Sequence, residues 1–309
     1  MDILLGPNQK PWHYHQAFGL RVRSCLPLPE LPTTAESEVE VEINYGPVSS
    51  ELTDAADAGL RYQTSPGRLL LLVDRIARFL ILEGDKVLID RHKNADDDDV
   101  RLFLLGPVFS GLLQQREDLV LRGSAIGVNG QGVAFLGPSG AGKSTLAMAF
   151  MKKGYRFLTD DLCVLRTGPE APRMIQSGFP QANLWPDSLT KLGLPRETLK
   201  PVRKKLSKRA MPVAEGFSSE ALPIKKVYLL NPMATEGVKL TAQKGQAAYT
   251  ALENQLHPSP LLKGLGLEAS YRQLALTLAL TTPFTIVDRP KKKFLLMEMM
   301  DLLEADFLG

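Results

Sequence analysis

Apolar and polar positions divide the sequence into two parts with different predicted elements. Residues 38–43 (EVEVEI) alternate strictly between acidic and apolar side chains, which is typical of a half-exposed strand. Further apolar runs predict strands at 68–73, 79–82 and 86–89. Apolar residues at helical spacing predict one helix over 100–115, and the four aspartates at 96–99 suit its N-terminus because acids favour that end of a helix dipole. Short strands with a single helix indicate a smaller α+β domain over residues 1–118, with an accessory or substrate-recognition role.

From Leu119 onward, short apolar runs alternate with helices. Three runs separated by glycine-containing turns predict strands at 119–121, 125–128 and 132–136. Further strands are predicted at 155–158, 162–165, 226–230 and 284–287, and helices at 144–152, 270–280 and 292–307. Alternation of strands and helices is the pattern of an α/β domain, here over residues 119–309.

Composition and charge narrow the class of protein. The 309 residues are 44% hydrophobic and 23% charged, which excludes a disordered chain. A net charge of +3 is too small to predict a nucleic-acid partner. The two cysteines, Cys25 and Cys163, form no disulfide or metal-binding pattern. Residues 1–10 lack the apolar core of a signal peptide. The apolar stretch 69–82 is too short to span a membrane and is interrupted by charged residues. These features predict a cytoplasmic protein without a membrane span.

A nucleotide-binding motif follows the strand predicted at 132–136. Residues 137–144, GPSGAGKS, match the pattern G-x-x-x-x-G-K-[ST], in which glycines let backbone N–H groups converge on phosphate oxygens. Lys143 would contact the β- and γ-phosphates of ATP, and the Ser144 hydroxyl would bind Mg²⁺. The predicted cofactor-binding residues are Gly137, Pro138, Ser139, Gly140, Ala141, Gly142, Lys143, Ser144 and Thr145.

Asp160 and Asp161 follow the strand after this motif, in the sequence YRFLTDDLCVL. Strands of α/β sheets deliver their carboxyl ends to the ligand crevice, and adjacent side chains on a strand point in opposite directions. One carboxylate could therefore accept a proton from a hydroxyl while the other helps to hold the metal. Phosphoryl transfer to a hydroxyl needs such a group close to the phosphates.

The block Leu121 to Leu165 resembles the HPr serine kinase/phosphorylase family, and more closely its stand-alone members beside peptide-tailoring systems, such as lasso-peptide kinases. The resemblance covers the glycine-rich loop, the following helix, the KKGYRF turn and the aspartate pair. It implies an HPr-kinase-like fold and ATP-dependent phosphorylation of a serine. It assigns the general base to Asp160 and a metal-associated role to Asp161. Family members often form rings, which leaves a homo-oligomer open.

The sequence departs from this family in ways that bear on function. Arg122 stands where bifunctional members have a histidine, and the segment RMIQSGFPQANLW carries no acid where the family has a glutamate-arginine-glycine signature. We therefore expect no reverse phosphorylase reaction and no HPr substrate, and assign Arg122 an auxiliary positive charge in catalysis.

Residues 200–209, KPVRKKLSKR, carry six basic side chains and no acid. This cluster could be a solvated surface loop, a loop that folds over ATP phosphates or an acidic substrate, or a nucleic-acid contact, although it lacks interleaved aromatic residues. The sequence thus predicts a serine kinase that acts on a peptide or small protein, such as a lasso-type precursor. The alternatives are a small-molecule kinase on the same core and a non-catalytic ATP-binding scaffold.

Overall fold

A computed structural model of the chain describes residues 11–166, 173–203, 206–256 and 260–309. Residues 1–10, for which we predict no signal peptide, lie outside the described residues, as do Lys204 and Lys205 of the basic cluster. The described chain is a mixed α/β structure with several sheets. No helix within it is long and apolar enough to cross a bilayer.

The first sheet is built from the first part of the chain. Its strands are β1 (His13–Ala17), β2 (Leu20–Ser24), β3 (Val41–Tyr45), β4 (Asp57–Gly59), β5 (Tyr62–Ser65), β6 (Arg68–Val73), β7 (Ala77–Leu82) and β8 (Lys86–Arg91). In the described residues their order is β1-β2-β3-β8-β7-β6-β5-β4. The strands predicted at 68–73, 79–82 and 86–89 are confirmed. The strand predicted at 38–43 begins only at Val41, because its pairing with Val22 of β2 begins there.

One long helical segment packs on this sheet, as predicted, but it is not a uniform α-helix. It consists of α1 (Asp97–Phe103), a π-helical turn (Leu104–Val108) and α2 (Phe109–Gln115). Asp96 caps α1 by accepting a hydrogen bond from the Asp99 N–H at 2.8 Å. Pro107 lies within the π-helical turn. Because proline has no N–H, it removes one helical hydrogen bond, and the helix changes its winding there.

The second sheet contains the nucleotide-binding motif. Its strands are β9 (Leu119–Val128), β10 (Gln131–Leu136), β11 (Arg156–Thr159), β12 (Leu162–Arg166), β13 (Met174–Gln176), β17 (Leu222–Met233), β18 (Lys239–Gln243) and β19 (Phe284–Pro290). β10, β17 and β19 run parallel, as an α/β core requires. A smaller sheet in the described chain has the order β14-β16-β15, formed by β14 (Gln181–Leu184), β15 (Pro201–Arg203) and β16 (Leu206–Pro212).

The strands predicted separately at 119–121 and 125–128 form one continuous strand, β9, so the predicted turn at Gly123 is wrong. A Cβ at Gly123 would lie 2.6 Å from Leu136 Cδ2 and 3.0 Å from the Phe135 carbonyl oxygen. The glycine therefore serves close packing between strands instead of a turn.

Helices cover both faces of the second sheet. They are α3 (Lys143–Lys152), α4 (Pro186–Leu192), α5 (Gly245–Glu253), α6 (Pro260–Leu265), α7 (Glu268–Thr281) and α8 (Leu296–Leu308). Residues of β10 alternate between two cores: Val133 and Phe135 pack with α3 and α8, whereas Ala134 and Leu136 pack with α5 and α7. Because alternate side chains of a strand point to opposite faces of the sheet, β10 is covered by helices on both faces, and the motif that follows it lies where these two layers of helices meet.

The core of the first sheet extends past residue 118. Val120, Leu162 and Val164 of the second sheet pack into it, beside residues of α1 and α2. The division into domains at residues 118 and 119 stays a prediction. The shared core means that Leu162, and hence the aspartate pair just before it, lies at the seam between the two sheets.

Phe150 of α3 is expected to be a major source of stability. Its buried ring lies 5.8 Å from the ring of Phe135 and 5.5 Å from those of Tyr155 and Phe307. Replacing it by alanine should lower the free energy of unfolding by about 3–5 kcal/mol, because the site is packed on several sides. Urea denaturation measures this loss. The control is Leu60→Ala, which should lower the free energy of unfolding by less than about 0.5 kcal/mol because Leu60 is 93% exposed. An equal loss in the two variants would contradict the described core.

Candidate functional site

The glycine-rich loop connects β10 directly to α3, as the sequence predicts. Gly137, Gly140 and Gly142 have positive φ angles of 141°, 79° and 100°, which glycine adopts without strain. A Cβ at Gly137 would lie 2.6 Å from the Leu230 carbonyl oxygen. At Gly140 a Cβ would meet no atom within 4 Å, so the loop backbone faces open space there. The loop and the N-terminus of α3 therefore form a cradle of N–H groups suited to an anion.

Lys143 lies over this loop. Its Nζ donates hydrogen bonds to the carbonyl oxygens of Gly137 at 2.9 Å and Pro138 at 3.1 Å. Burial lowers the pKa of Lys143 from its usual value, while the charges of Asp160 and Asp161 act in the opposite direction. The ammonium group is thus held at the rim of the cradle, where a polyphosphate would compensate its desolvation.

The other predicted loop residues do not all face the cleft. Gly137, Ser139, Gly140, Gly142, Lys143, Ser144 and Thr145 line it. Ala141 is fully buried, and Pro138 contributes its carbonyl to Lys143. Thr145 donates its hydroxyl hydrogen to Ser188 Oγ of α4 at 2.7 Å, which anchors α3 to α4.

Asp160 contacts the loop helix directly. Its Oδ1 accepts hydrogen bonds from the Ser144 hydroxyl at 2.8 Å and the Ser124 hydroxyl at 2.6 Å. Its Oδ2 accepts from the Asn183 backbone N–H at 2.9 Å. Burial, and then the charge of Asp161, raise the pKa of Asp160 above that of an ordinary aspartate, although the three hydrogen bonds oppose the shift. The carboxylate is therefore fixed in orientation and more basic than usual, and it lines the same cleft as the loop.

Asp161 lines the same cleft as Asp160, and both carboxylates accept a hydrogen bond from Asn183. It has a left-handed backbone with φ 65°, and its half-exposed carboxylate accepts a hydrogen bond from Asn183 Nδ2 at 2.7 Å. Lys208 Nζ lies 3.8 Å from Asp161 Oδ1. A positive φ at a residue other than glycine costs of order 1 kcal/mol and is commonly kept at functional sites.

The two aspartates lie between β11 and β12, where the pairing with β9 is interrupted. β11 and β12 pair in succession with β9, and the register shifts between Phe157 and Thr159. The Leu162 N–H then donates to the Asp160 carbonyl oxygen at 2.8 Å in a tight turn. Bulges of this kind re-aim side chains, and here the two carboxylates leave the sheet at the cleft.

Arg122 lies on β9 opposite Leu162 and lines the cleft with its exposed side chain. No hydrogen bond or ion pair to its guanidinium occurs within the described ranges. Its charge is close enough to disfavour protonation of Lys143. The structure thus brings Arg122 to the same cleft as Lys143, Asp160 and Asp161.

The described residues of the basic cluster lie in β15 and β16 or directly beside them, and these two strands pair antiparallel. Lys200 and Lys208 line the cleft, and the Lys208 ammonium lies 5.7 Å from the centre of the Trp185 ring. Arg203 stacks over the Phe103 ring of α1 at 5.6 Å. Of the three interpretations of this cluster, the position of Lys208 beside Asp161 favours a role at the phosphate or substrate site.

Arg289, at the end of β19, is a site residue that sequence reasoning missed. It is 4% exposed, and it donates from Nε to the Ala141 carbonyl oxygen at 2.8 Å and from Nη2 to the Gly140 carbonyl oxygen at 3.2 Å. No carboxylate in the described chain pairs with it, and burial lowers its pKa. Its guanidinium lies 4.8 Å from the Phe294 ring centre. Arg289 therefore holds the carbonyl oxygens of two loop residues, and it lines the same cleft as the loop.

Arg289→Met is expected to raise the Kd for MgATP about tenfold, since it removes charged hydrogen bonds that hold the loop. Isothermal titration calorimetry measures the Kd, with the exposed Arg75→Met as the matched control. A lowered melting temperature with an unchanged Kd would show that Arg289 only stabilises the fold.

One cleft of about 880 Å³ is lined by Arg122, Lys143, Ser144, Asp160, Asp161, Lys208 and Arg289. Ser144 Oγ and the carboxylates of Asp160 and Asp161 are the oxygen donors that Mg²⁺ prefers, and Mg²⁺ in such sites takes one or two carboxylates together with phosphate oxygens. No cluster of three or more His, Cys, Asp or Glu side chains suited to a metal occurs in the part of the chain that the structure describes. Two carboxylates and one hydroxyl form a donor set suited to Mg²⁺ that binds together with a nucleotide.

Comparisons with known proteins give a distant likeness. No family model matches the chain, and no curated protein matches it. Among solved structures, the HPr(Ser) kinase/phosphatase from Coxiella burnetii matches over 61% of this chain and 90% of its own, with 10% identity and a TM-score of 0.32. At that distance the likeness carries no functional assignment.

Proposed function

We propose that this protein is an ATP-dependent phosphotransferase that transfers the γ-phosphoryl group to a serine hydroxyl of a peptide or small protein. The observation that carries the proposal is the 2.8 Å hydrogen bond between Ser144, at the start of α3, and the raised-pKa carboxylate of Asp160. It joins an anion cradle to a basic group in one cleft. A ribosomally made precursor peptide of the lasso type is the proposed acceptor, on the sequence resemblance alone.

In this proposal one group of residues binds the phosphates and another accepts the proton. The loop N–H groups and Lys143 bind the β- and γ-phosphates, and Arg122 and Lys208 add positive charge on the acceptor side. Asp160 accepts the proton of the serine hydroxyl while the serine oxygen bonds to the γ-phosphorus, the bond from this phosphorus to the bridging oxygen breaks, and ADP leaves. Ser124 and the Asn183 N–H keep the Asp160 carboxylate oriented. Mg²⁺, held by Ser144 and Asp161, would neutralise phosphate charge.

One contact favours the reverse assignment of the two carboxylates. The Ser144 hydroxyl donates to Asp160 and not to Asp161, and in other nucleotide-binding loops the metal is held by the loop Ser or Thr and an aspartate. In the reverse assignment Asp160 and Ser144 would hold Mg²⁺, and the half-exposed Asp161 would accept the proton. Dependence of ATP affinity on Mg²⁺ separates the two assignments.

The proposal is tested by following radioactive phosphate. Wild-type protein, Mg²⁺ and ATP labelled at the γ-phosphate are incubated with serine-containing peptides and, separately, with hydroxyl-bearing metabolites. We expect acid-stable label in the peptides. Label only in a metabolite would indicate the small-molecule kinase, and ATP binding without transfer to any acceptor would indicate the non-catalytic scaffold.

A further inference from the structure

The cleft extends well beyond the phosphate cradle, and its far wall comes from the first part of the chain. This wall, which we call the α1 wall, consists of the partly exposed Leu102, Phe103, Gly106 and Pro107 of α1 and the π-helical turn, together with Phe179. The aspartate pair lines the same cleft as the cradle and the α1 wall. Asp160 contacts Ser144 on the cradle side, whereas Leu162 packs into the core below α1.

An acceptor that approaches Asp160 or Asp161 from the side opposite the loop must pass the α1 wall. In an in-line displacement the attacking oxygen and the leaving oxygen lie on opposite sides of the phosphorus. Because the loop and Lys143 occupy the nucleotide side, the acceptor side is the one that the α1 wall closes. The volume of about 880 Å³ is at the upper end of the range for small-ligand pockets, so it leaves room for more than a triphosphate.

The chemistry of the α1 wall indicates what it binds. The wall itself is apolar, and the charged residues beside it that line the cleft are paired, since Arg101 forms ion pairs with Glu30 and Asp98. An apolar surface whose neighbouring charges are paired with one another suits an apolar side chain of a peptide better than a charged one, because a charge buried there would lose its hydration without gaining a partner.

We propose that the α1 wall is the acceptor subsite and that it binds a peptide segment in which a large apolar residue lies next to the phosphorylated serine. This inference rests on the proposed phosphotransferase function. The π-helical turn, with Gly106 at its centre, sets the width of the subsite.

Gly106 provides a variant that should fill the subsite without harming the fold. A Cβ at Gly106 would meet no atom within 4 Å, and leucine is favoured over glycine in helices by up to about 1 kcal/mol. Gly106→Leu should therefore keep or raise the melting temperature and leave the Kd for MgATP unchanged. Gly237→Leu is the matched control, because a Cβ at Gly237 meets only Glu298 Oε1 at 3.6 Å and the position lies outside the cleft.

The test uses a positional-scanning library of short peptides with a central serine, in which one flanking position is fixed at a time. With γ-labelled MgATP, the wild type should label peptides with Leu, Ile, Phe or Met at one flanking position about tenfold more than those with Asp or Lys there. Gly106→Leu should raise the KM for the best peptide about tenfold or more and weaken this preference, whereas Gly237→Leu should do neither.

The outcomes separate this inference from the proposed function. Labelling that ignores the flanking residues, or that Gly106→Leu leaves unchanged, contradicts the acceptor subsite and leaves the phosphotransferase intact. Transfer to a metabolite but to no peptide also overturns the subsite. If no acceptor of either kind is labelled although ATP binds, both proposals fail.

Discussion

Replacing Asp160 by asparagine is expected to lower the rate of phosphoryl transfer about 10²–10⁴-fold, the usual contribution of a general base. Asparagine keeps the shape of the side chain but cannot take up the serine proton. The Kd for MgATP should change little, because the loop and Lys143 bind the phosphates. The exposed Asp85→Asn is the matched control and should retain full activity.

Measurement of ATP affinity at increasing Mg²⁺ concentrations shows whether Asp160→Asn loses activity because the base or because a metal ligand is missing. If Asp160 is the base, Asp160→Asn keeps the dependence of ATP affinity on Mg²⁺, and Asp161→Asn weakens it. The opposite result supports the assignment suggested by the Ser144 contact. Full activity of Asp160→Asn, with Asp161→Asn also active, would contradict a catalytic role for the pair.

The same carboxylate predicts a pH dependence. Because burial and Asp161 raise the pKa of Asp160, kcat/KM should fall on acidification at a pH above the usual titration range of an aspartate. Transfer is favoured above this pKa, where Asp160 is ionised. Asp161→Asn removes one of the two causes, so the acid limb of its residual activity should move to lower pH. An acid limb that does not move would indicate another titrating group.

Lys143→Met is expected to lower the transfer rate about 10²–10³-fold, comparable to the loss of a preorganised donor at a transition state. The methionine side chain fills similar space, but it removes the cation that lies between the loop and the two aspartates. It should also weaken ATP binding more than ADP binding, because Lys143 is placed for the β- and γ-phosphates. The exposed Lys93→Met serves as the control.

Binding of ATP by Lys143→Met as tight as by the wild type, with normal transfer, would contradict the placement of the phosphates. Lys143 could also stabilise the loop itself, because its Nζ donates hydrogen bonds to the carbonyl oxygens of Gly137 and Pro138. A fall in melting temperature without any change in nucleotide affinity would assign Lys143 to loop stability alone.

The local part of this site could be predicted from sequence because its causes are local. Glycines at 137, 140 and 142 adopt the positive φ angles that the loop needs, whatever surrounds them. The position of Asp160 and Asp161 at a strand end followed from the apolar run before them. The apolar runs that form β6, β7 and β8 were also readable, since each strand contributes buried residues to the core, among them Leu69, Phe79 and Val87.

The contacts that complete the site come from distant segments and leave no local pattern. Ser124 and Asn183 orient Asp160 from 36 and 23 residues away, and Arg289 reaches the loop from 148 residues away. An arginine at the carboxyl end of a parallel strand was the one available signal for the last of these. Gly123 misled the sequence analysis because a glycine in a strand and a glycine in a turn look alike until the neighbouring strand is known.

The most direct test of the account is a ³¹P NMR time course of the wild-type protein with MgATP and its best library peptide. We expect the γ-phosphate resonance of ATP to be replaced by a phosphomonoester resonance on the peptide, in step with formation of ADP, and not to be replaced in Asp160→Asn. Conversion of the γ-phosphate only to inorganic phosphate, or an unchanged ATP spectrum, would contradict transfer to a serine hydroxyl.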